Sequence, residues 1–417
     1  MSESVTILTS KRIVPFFKRY SIWISAAVVL ILLPVFFNSN FTLSLLNQTG
    51  IAIILALSYN MLFGHTGLLS FGHAVYFGLG GFSTIHALRA FGESEIFFPV
   101  SLLPLVGGAG GLFFALIFGF VSTRRPGVPF ALITLGIGEL VTALSLIFNS
   151  FFGGEEGIAA DRVIGAEPFG ISLGPLIEVY YLIAVWVYVC VFLIYMFSRT
   201  PIGRICNAVR DNPERSQFIG YNPQRVRWIV FSVSGFFAGI AGGLFAINYE
   251  IVTYETVTII QNSGIIMMTY IGGVRLFWGP ILGAIVYTFL WATLSDYTEA
   301  WLLYIGFFFV LFVMYAPGGL AGLLSMHEPF RKGRLIHKLI PTYIRALVPG
   351  AVFAIAVIAF IEISYTLSFS VGGETDVSLF GIRFDAGTPW PWIVLIPMTG
   401  IGLYFLRRSF PVIRSRW

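Results

Sequence analysis

From residue 21 onward, long apolar runs alternate with short polar breaks. The runs fall near 21–37, 43–63, 67–88, 97–121, 127–150, 174–198, 228–249, 256–274, 277–295, 300–317, 347–367 and 391–406. A helix needs about 20 apolar residues to cross the hydrocarbon core of a bilayer. The pattern therefore predicts an all-α, polytopic membrane helix bundle of about twelve helices. Two runs are unlike the rest. Residues 64–81, GHTGLLSFGHAVYFGLGG, combine six glycines with Ser70 and His73, spaced three apart as on one helical face, and with Tyr76 close behind. Residues 261–273, QNSGIIMMTYIGG, carry Gln261, Asn262, Ser263 and Tyr270. Polar, glycine-interrupted segments make poor lipid-facing helices and belong in a bundle interior, often as broken or half-helices lining a pathway. Their side chains have two roles open to them. They could hydrogen-bond a polar solute. Alternatively, His73 could satisfy an interhelical carbonyl, and Gln261, Asn262 and Ser263 could cap a broken helix.

Glycine also recurs at helical spacing. Gly107, Gly111, Ala115 and Gly119 form one four-residue series, Gly235, Gly239 and Gly243 a second, and Gly279 and Gly283 repeat the step. Small residues at this spacing let helices approach closely. Such faces pack tightly or slide during transport. Glu139 interrupts the apolar run LITLGIGELVTALSL. An unpaired charge at mid-bilayer costs roughly 2.5–3.5 kcal/mol on insertion scales, so Glu139 is expected to face protein or water. It could orient a helix, bind the cationic end of a solute, or be protonated. Glu362 sits in the eleventh run, with its role open.

Charge fixes an orientation for this pattern. Hydrophobic residues make up 57% of the 417-residue chain and charged residues 11%, against roughly 25% charged in soluble domains. Threading the runs alternately from a cytoplasmic N-terminus places 22 of the 25 lysines and arginines inside, leaving only Arg89, Arg162 and Arg383 outside. Most acids fall on the outer side, among them Glu93, Glu95, Glu155, Glu156, Asp161, Glu167, Glu250 and Glu255. This asymmetry predicts both termini in the cytoplasm. The first run follows Lys11, Arg12, Lys18 and Arg19, has no A-x-A site after it, and is read as a retained helix. Cys190 and Cys206 imply no disulfide framework. His65, His73 and His86 are too scattered for a metal site, so no metal is expected.

The longest inner loop, 199–227, holds six arginines and only two acids, Asp211 and Glu214. Positive-inside charge explains its sign but not its punctuation. Asn212 can cap a helix, Pro213 suits a first helical position and Gly220 a position just past a helix end. The segment is predicted to form two short helices at the membrane surface and to touch a soluble partner.

Seven stretches, in this order, resemble the LivM-type permeases of ATP-driven importers for branched-chain amino acids, relatives of the urea and short-chain amide permeases. They are GHTGLLSFGHAVYFGLGGF (64–82), RRPGVPFALITLGIGEL (124–140), GGEEGI (153–158), RTPIGRICNAVRDNPERSQFIGYN (199–222), GFFAGIAGGLFA (235–246), YIGGVRLFWGPILGA (270–284) and APGGLAGL (316–323). Val274, Arg275, Leu276 and Phe277 stand where the family has a smaller Gly-Leu-Gly-Ser-like stretch. The resemblance implies that 199–222 holds the helices that dock on an ATPase subunit, through Gly203, Arg204, Arg210, Asp211, Asn212, Pro213, Arg215 and Gly220. It also places a Glu at position 139 across members with different substrates, which favours a structural or gating part over solute selection. The expected pathway residues are Ser70, His73, Tyr76, Glu139, Gln261, Asn262, Ser263 and Tyr270.

The organisation that follows is a basic N-terminus (1–20), a permease core (21–324), a basic linker (325–346), and two added helices with a basic tail (347–417). None of the four lysines, at 11, 18, 332 and 338, follows a glycine, so the chain lacks a phosphate-binding P-loop. No cofactor is expected in this chain; ATP and Mg belong to partner subunits. The resemblance implies those partners: a second, LivH-like permease, two LivG- and LivF-like ATP-binding subunits, and an extracytoplasmic solute-binding protein, in a bacterial or archaeal plasma membrane. The outer stretch GGEEGIAADR could contact that binding protein. Urea, short amides or small carboxylic acids are alternative cargoes. An ion-coupled secondary carrier using Glu139 is the alternative from another class. An intramembrane enzyme has no metal cluster or nucleophile–base pair to support it.

Overall fold

In the computed structural model, residues 21–93, 98–163, 172–316, 318–327, 336–369, 376–379 and 382–414 are described. The basic N-terminus, Glu95, Glu167 and residues 328–335 of the linker lie outside them. Helix α1 (Ser21–Phe36) precedes α2 (Asn40–Thr66), which starts where the Ser39 hydroxyl accepts from Thr42 N at 3.2 Å. Next come α3 (Ala74–Glu93), α4 (Leu103–Ser122), α5 (Val128–Ile147), the short α6 (Asn149–Phe152) and α7 (Leu176–Arg199). Two surface helices, α8 (Pro201–Asp211) and α9 (Pro213–Phe218), lead into α10 (Pro223–Tyr249) and α11 (Ile259–Gly272). Then follow α12 (Gly279–Tyr297), α13 (Trp301–Tyr315), α14 (Gly319–Met326), α15 (Ile336–Phe369) and α16 (Trp390–Arg414). Two antiparallel pairs complete the chain: β1 (Ile158–Ala159) with β2 (Ile251–Val252), and the hairpin β3 (Asp376–Leu379) with β4 (Ile382–Asp385).

The architecture is an all-α polytopic bundle, with fewer full spans than the twelve apolar runs predict. Among the described residues six helices are long and apolar enough to cross a membrane, or seven if α13 and α14, bent by 47°, form one span. Physical reasons account for part of the shortfall. Helix α11 has 14 residues, about 21 Å at 1.5 Å per residue, and a bilayer core is about 30 Å thick. The apolar run at 67–88 begins with non-helical chain and that at 256–274 with the end of a 3-10 turn, so their α-helices start only at Ala74 and Ile259.

Two compact units divide the chain. The first comprises residues up to Ala292 together with Phe309–Gly322. Its centre is a seam of α3, α4 and α10 in which backbones touch. A Cβ added at Gly239 would strike the Gly107 carbonyl, one at Gly80 would strike Gly239, and one at Gly111 the Gly235 carbonyl. The first two small-residue series thus face each other, as close helix packing requires. Gly279 and Gly283 play the same part between α12 and the end of α11, against Gly273 and Met268 carbonyls.

The second unit comprises Thr293–Phe308 and Leu323–Trp417. Helices α15 and α16 pair through Ala359, Ile363, Ala386 and Leu395, with Gly402 against the Phe353 backbone. Glu362 Oε1 accepts from Thr298 Oγ1 at 2.8 Å and Tyr304 Oη at 2.7 Å. These two donors satisfy a carboxylate in an apolar helix, which would otherwise be costly there.

At the end of α7 remote from α8, Arg162 ties the irregular chain together. It is 9% exposed. Its guanidinium donates to the carbonyls of Leu173 (2.7 Å), Gly174 (3.0 Å) and Asn248 (3.1 Å), and lies 3.4 Å from Glu250 Oε2. A cation at the last carbonyls of α10 also complements the helix dipole. Arg162→Ala would strand these carbonyls, while Glu250, 37% exposed, keeps its access to solvent. A loss of about 1–3 kcal/mol is expected for the unsatisfied carbonyls, read as a lowered thermal unfolding midpoint of the purified protein in detergent.

Candidate functional site

The site is built on an interrupted helix. Gly67, with φ +71°, ends α2 in the left-handed conformation and donates its N–H to Phe63 O. Residues 67–73 are non-helical, and α3 starts at Ala74. This connection turns back along α2, because His73 Nε2 meets Ser58 Oγ at 3.0 Å, two turns before α2 ends. The first amides of α3 therefore lie inside the bundle, where helix N–H groups need partners. Asn262, on α11, supplies the acceptor. Its Oδ1 accepts from His73 N at 2.7 Å and Ala74 N at 3.1 Å, and its Nδ2 donates to Ser70 O at 3.4 Å. Asn262 is thus an N-cap provided by a residue 188 positions further along the chain. Tyr59 Oη also donates to Ser70 O, at 3.2 Å, and Phe71 N donates to Thr134 Oγ1 of α5, at 3.1 Å.

This arrangement corrects one expectation. Ser70 and His73 do not share a helical face; both lie in the irregular connection, since Gly67 terminates the helix before them. The Ser58 hydroxyl donates its one proton to Leu55 O at 2.7 Å. The His73 imidazole therefore donates from Nε2 and leaves Nδ1 as an acceptor, which has no protein partner. Its ring lies edge-on to Tyr59 and Tyr76, with centroids at 5.3 and 5.9 Å.

The fold brings together Ser70, His73, Tyr76 and Asn262. The other pathway candidates are apart from them. Gln261 lines a cavity of about 140 Å³ with Gln48, Tyr287, Thr288 and Trp291. Ser263 donates to Ile259 O of its own helix at 2.8 Å. Tyr270 packs between Phe63 and Phe309. Glu139 is exposed on α5, a helix whose apolar window is only 33% buried. Ser58, Tyr59 and Thr134 were not singled out in the sequence, because a Ser, Tyr or Thr in an apolar run carries no local signal. Among the described residues no three His, Cys, Asp or Glu side chains converge to hold a metal.

The second functional element is the α8–α9 pair. Thr200 Oγ1 caps α8 by accepting from Gly203 N at 3.2 Å, and a Cβ at Gly203 would strike Phe197 O. Asn212 Oδ1 caps α9 by accepting from Arg215 N at 2.9 Å. Gly220, with φ +92°, closes α9, with Tyr221 N donating to Ser216 O at 3.1 Å. Cys206 and Val209 are buried on the inner face of α8, and burial pushes the Cys206 thiol up to about 12. Arg204, Asp211, Pro213 and Arg215 are exposed. Arg210 is exposed as well, and its Nε donates to Asp211 Oδ1 at 3.0 Å and its Nη1 to Gly64 O at the end of α2. At and just past the end of α9, Phe218 is 89%, Ile219 62% and Tyr221 43% exposed, an apolar knob on a basic surface.

Replacing Asn262 tests the interrupted helix. Asn262→Ala would leave the His73 and Ala74 amides without their acceptor in a buried setting. A loss of about 2–4 kcal/mol is expected for two such groups, read as a lowered thermal midpoint, with Asn262→Ser retaining part of the cap.

Comparisons with known proteins identify the family. The family described as branched-chain amino acid transport system / permease component matches residues 41–317. The high-affinity branched-chain amino acid transport system permease protein LivM of Escherichia coli is 27% identical over 332 residues, covering 75% of this chain and 76% of its own. The probable branched-chain amino acid transport permease protein LivM of Methanocaldococcus jannaschii is 25% identical, covering 65% and 90%. The ribose import permease protein RbsC of Haemophilus influenzae is 26% identical, covering 63% and 80%. No solved structure matches the chain significantly. The chain belongs to the branched-chain amino acid transport system permease-component family and is a multi-pass membrane permease of the ABC type.

Proposed function

We propose that this chain is one of two permeases in an ATP-driven importer for branched-chain or related amino acids, working by alternating access. The observation that carries this reading is the α8–α9 pair, a capped surface element that ends in an exposed Phe218–Ile219 knob. Large apolar side chains on a basic surface are anchors for a partner. The chain has no P-loop, so that partner is an ATP-binding subunit. Gly203, Arg204, Asp211, Asn212, Pro213, Arg215 and Gly220 shape or surround the contact. The charge asymmetry supports placing α8–α9 and both termini in the cytoplasm.

Glu139 supports a second permease. It sits mid-helix on the exposed face of α5, where lipid contact would cost roughly 2.5–3.5 kcal/mol. A homologous subunit covering this face would give the carboxylate polar partners and enclose a pathway between the two chains. The cluster of Ser70, His73, Tyr76 and Asn262, with Gln261, Ser263 and Tyr270 further along α11, would control passage of the solute. An extracytoplasmic solute-binding protein would deliver the cargo and hold most of the selectivity. The amino-acid class rests on the relatives named LivM; the ribose permease shows that sugar carriers share much of the same core. Residues 325–346 form a linker in this reading, and 347–417 an added helical element outside the matched core.

The test is reconstitution with the ATP-binding subunits. Phe218→Asp is expected to weaken their copurification about tenfold or more, as for removal of an interface anchor, and to abolish ATP-driven uptake in proteoliposomes. Uptake by the isolated chain without ATP would replace this reading with an ion-coupled carrier.

A further inference from the structure

Arg210 behaves unlike its neighbours on the surface segment. Arg204, Arg210 and Arg215 are all exposed, but the Arg210 guanidinium also reaches back to a backbone carbonyl of the bundle. One arm reaches Gly64 O in the last turn of α2 and the other Asp211 Oδ1 at 3.0 Å. A guanidinium on the terminal carbonyls of a helix completes their hydrogen bonding and complements the dipole. The Arg210 stem also lies over Gly67, where an added Cβ would sit 3.0 Å from Arg210 Cγ. Asn207, one turn earlier on α8, bonds the His65 side chain. Gly64 in turn abuts the end of α11, since a Cβ there would lie 2.7 Å from Val274 O.

Three structural parts therefore meet at one side chain: α8, the end of α2 and the start of the 67–73 connection, with the chain just past α11 adjoining Gly64. The connection has no helical ladder of its own and joins two helices through side-chain hydrogen bonds. Its far end, six residues beyond Gly67, is pinned by Asn262 through His73 N and Ala74 N. We propose that Arg210 is a positioning residue that carries movement of the surface helices into the 67–73 connection, rather than a residue that holds the ATP-binding partner. This inference rests on reading 199–222 as the segment that engages that partner.

The experiment uses the full complex in proteoliposomes with a reporter at Leu69→Cys, a half-buried position in the connection. The native thiols, Cys190 and Cys206, are both buried, so maleimide labelling reports position 69. With Arg210 present, the labelling rate should differ between nucleotide-free and ATP-bound complexes. Arg210→Gln should keep the ATP-binding subunits attached, erase that difference, and lower transport about tenfold, within the range of a typical coupling interaction. Arg210→Lys should fall between, because one ammonium cannot reproduce the two-armed fork.

Release of the ATP-binding subunits by Arg210→Gln would overturn the inference, since Arg210 would then be a docking residue. So would wild-type transport by that variant, or labelling at position 69 that does not respond to ATP with Arg210 in place. Phe218→Asp separates the two levels: if it leaves the subunits fully attached, the docking reading of 199–222 fails irrespective of Arg210.

Discussion

A helix that begins inside a membrane bundle has amide groups that neither water nor its own backbone can satisfy, and the permease core is organised around that demand. Helix α3 starts beside Ser58 rather than at the bundle's end, and Asn262 accepts from both His73 N and Ala74 N. In a low-dielectric interior each unpaired amide is expensive. The cap therefore constrains far more than one contact. It sets where α11 lies against α3, and the Asn262 amide, Tyr59 and Thr134 hold the connection in place. A polar crossing between the two interrupted segments is the price of having them.

Around this element the bundle is close-packed and unyielding. The glycines of α3, α4 and α10 bring backbones into contact, so almost any side chain added at Gly80, Gly107 or Gly239 collides with main chain. The buried pair Asn47–Asn248, at 2.9 Å, adds a polar tie between α2 and α10. At the end remote from α8, Arg162 closes the loop layer onto the last turn of α10. The 67–73 connection sits within this frame without a helical ladder, held by side chains of α2, α5 and α11.

The surface helices were largely legible from residue types. Asn212, Pro213 and Gly220 have strong local preferences, and each sits where those preferences place it. The glycine series were equally plain, since small residues every four positions need a close neighbour. Other features had no such signature. Phe218 reads as one more apolar residue until its 89% exposure is known. Arg210 counts as another positive charge until its guanidinium is seen to reach Gly64. Ser70 and His73, three apart, read as one helix face until Gly67 is seen to end the helix before them.

Hydropathy and turn preference act over a few residues, so the membrane class, the glycine-interrupted segments, the turn at Gly220 and the absence of a P-loop could be read along the chain. Partnerships between residues far apart could not. Asn262 meets Ala74 across 188 positions, Arg210 meets Gly64 across 146, and Arg162 meets Asn248 across 86. Each of these bonds answers a buried backbone group, and which group is buried depends on how the helices pack. Local pattern therefore indicated interrupted segments and a capped pair of surface helices, while packing alone decided which side chain caps the interruption and which arginine of that pair reaches Gly64.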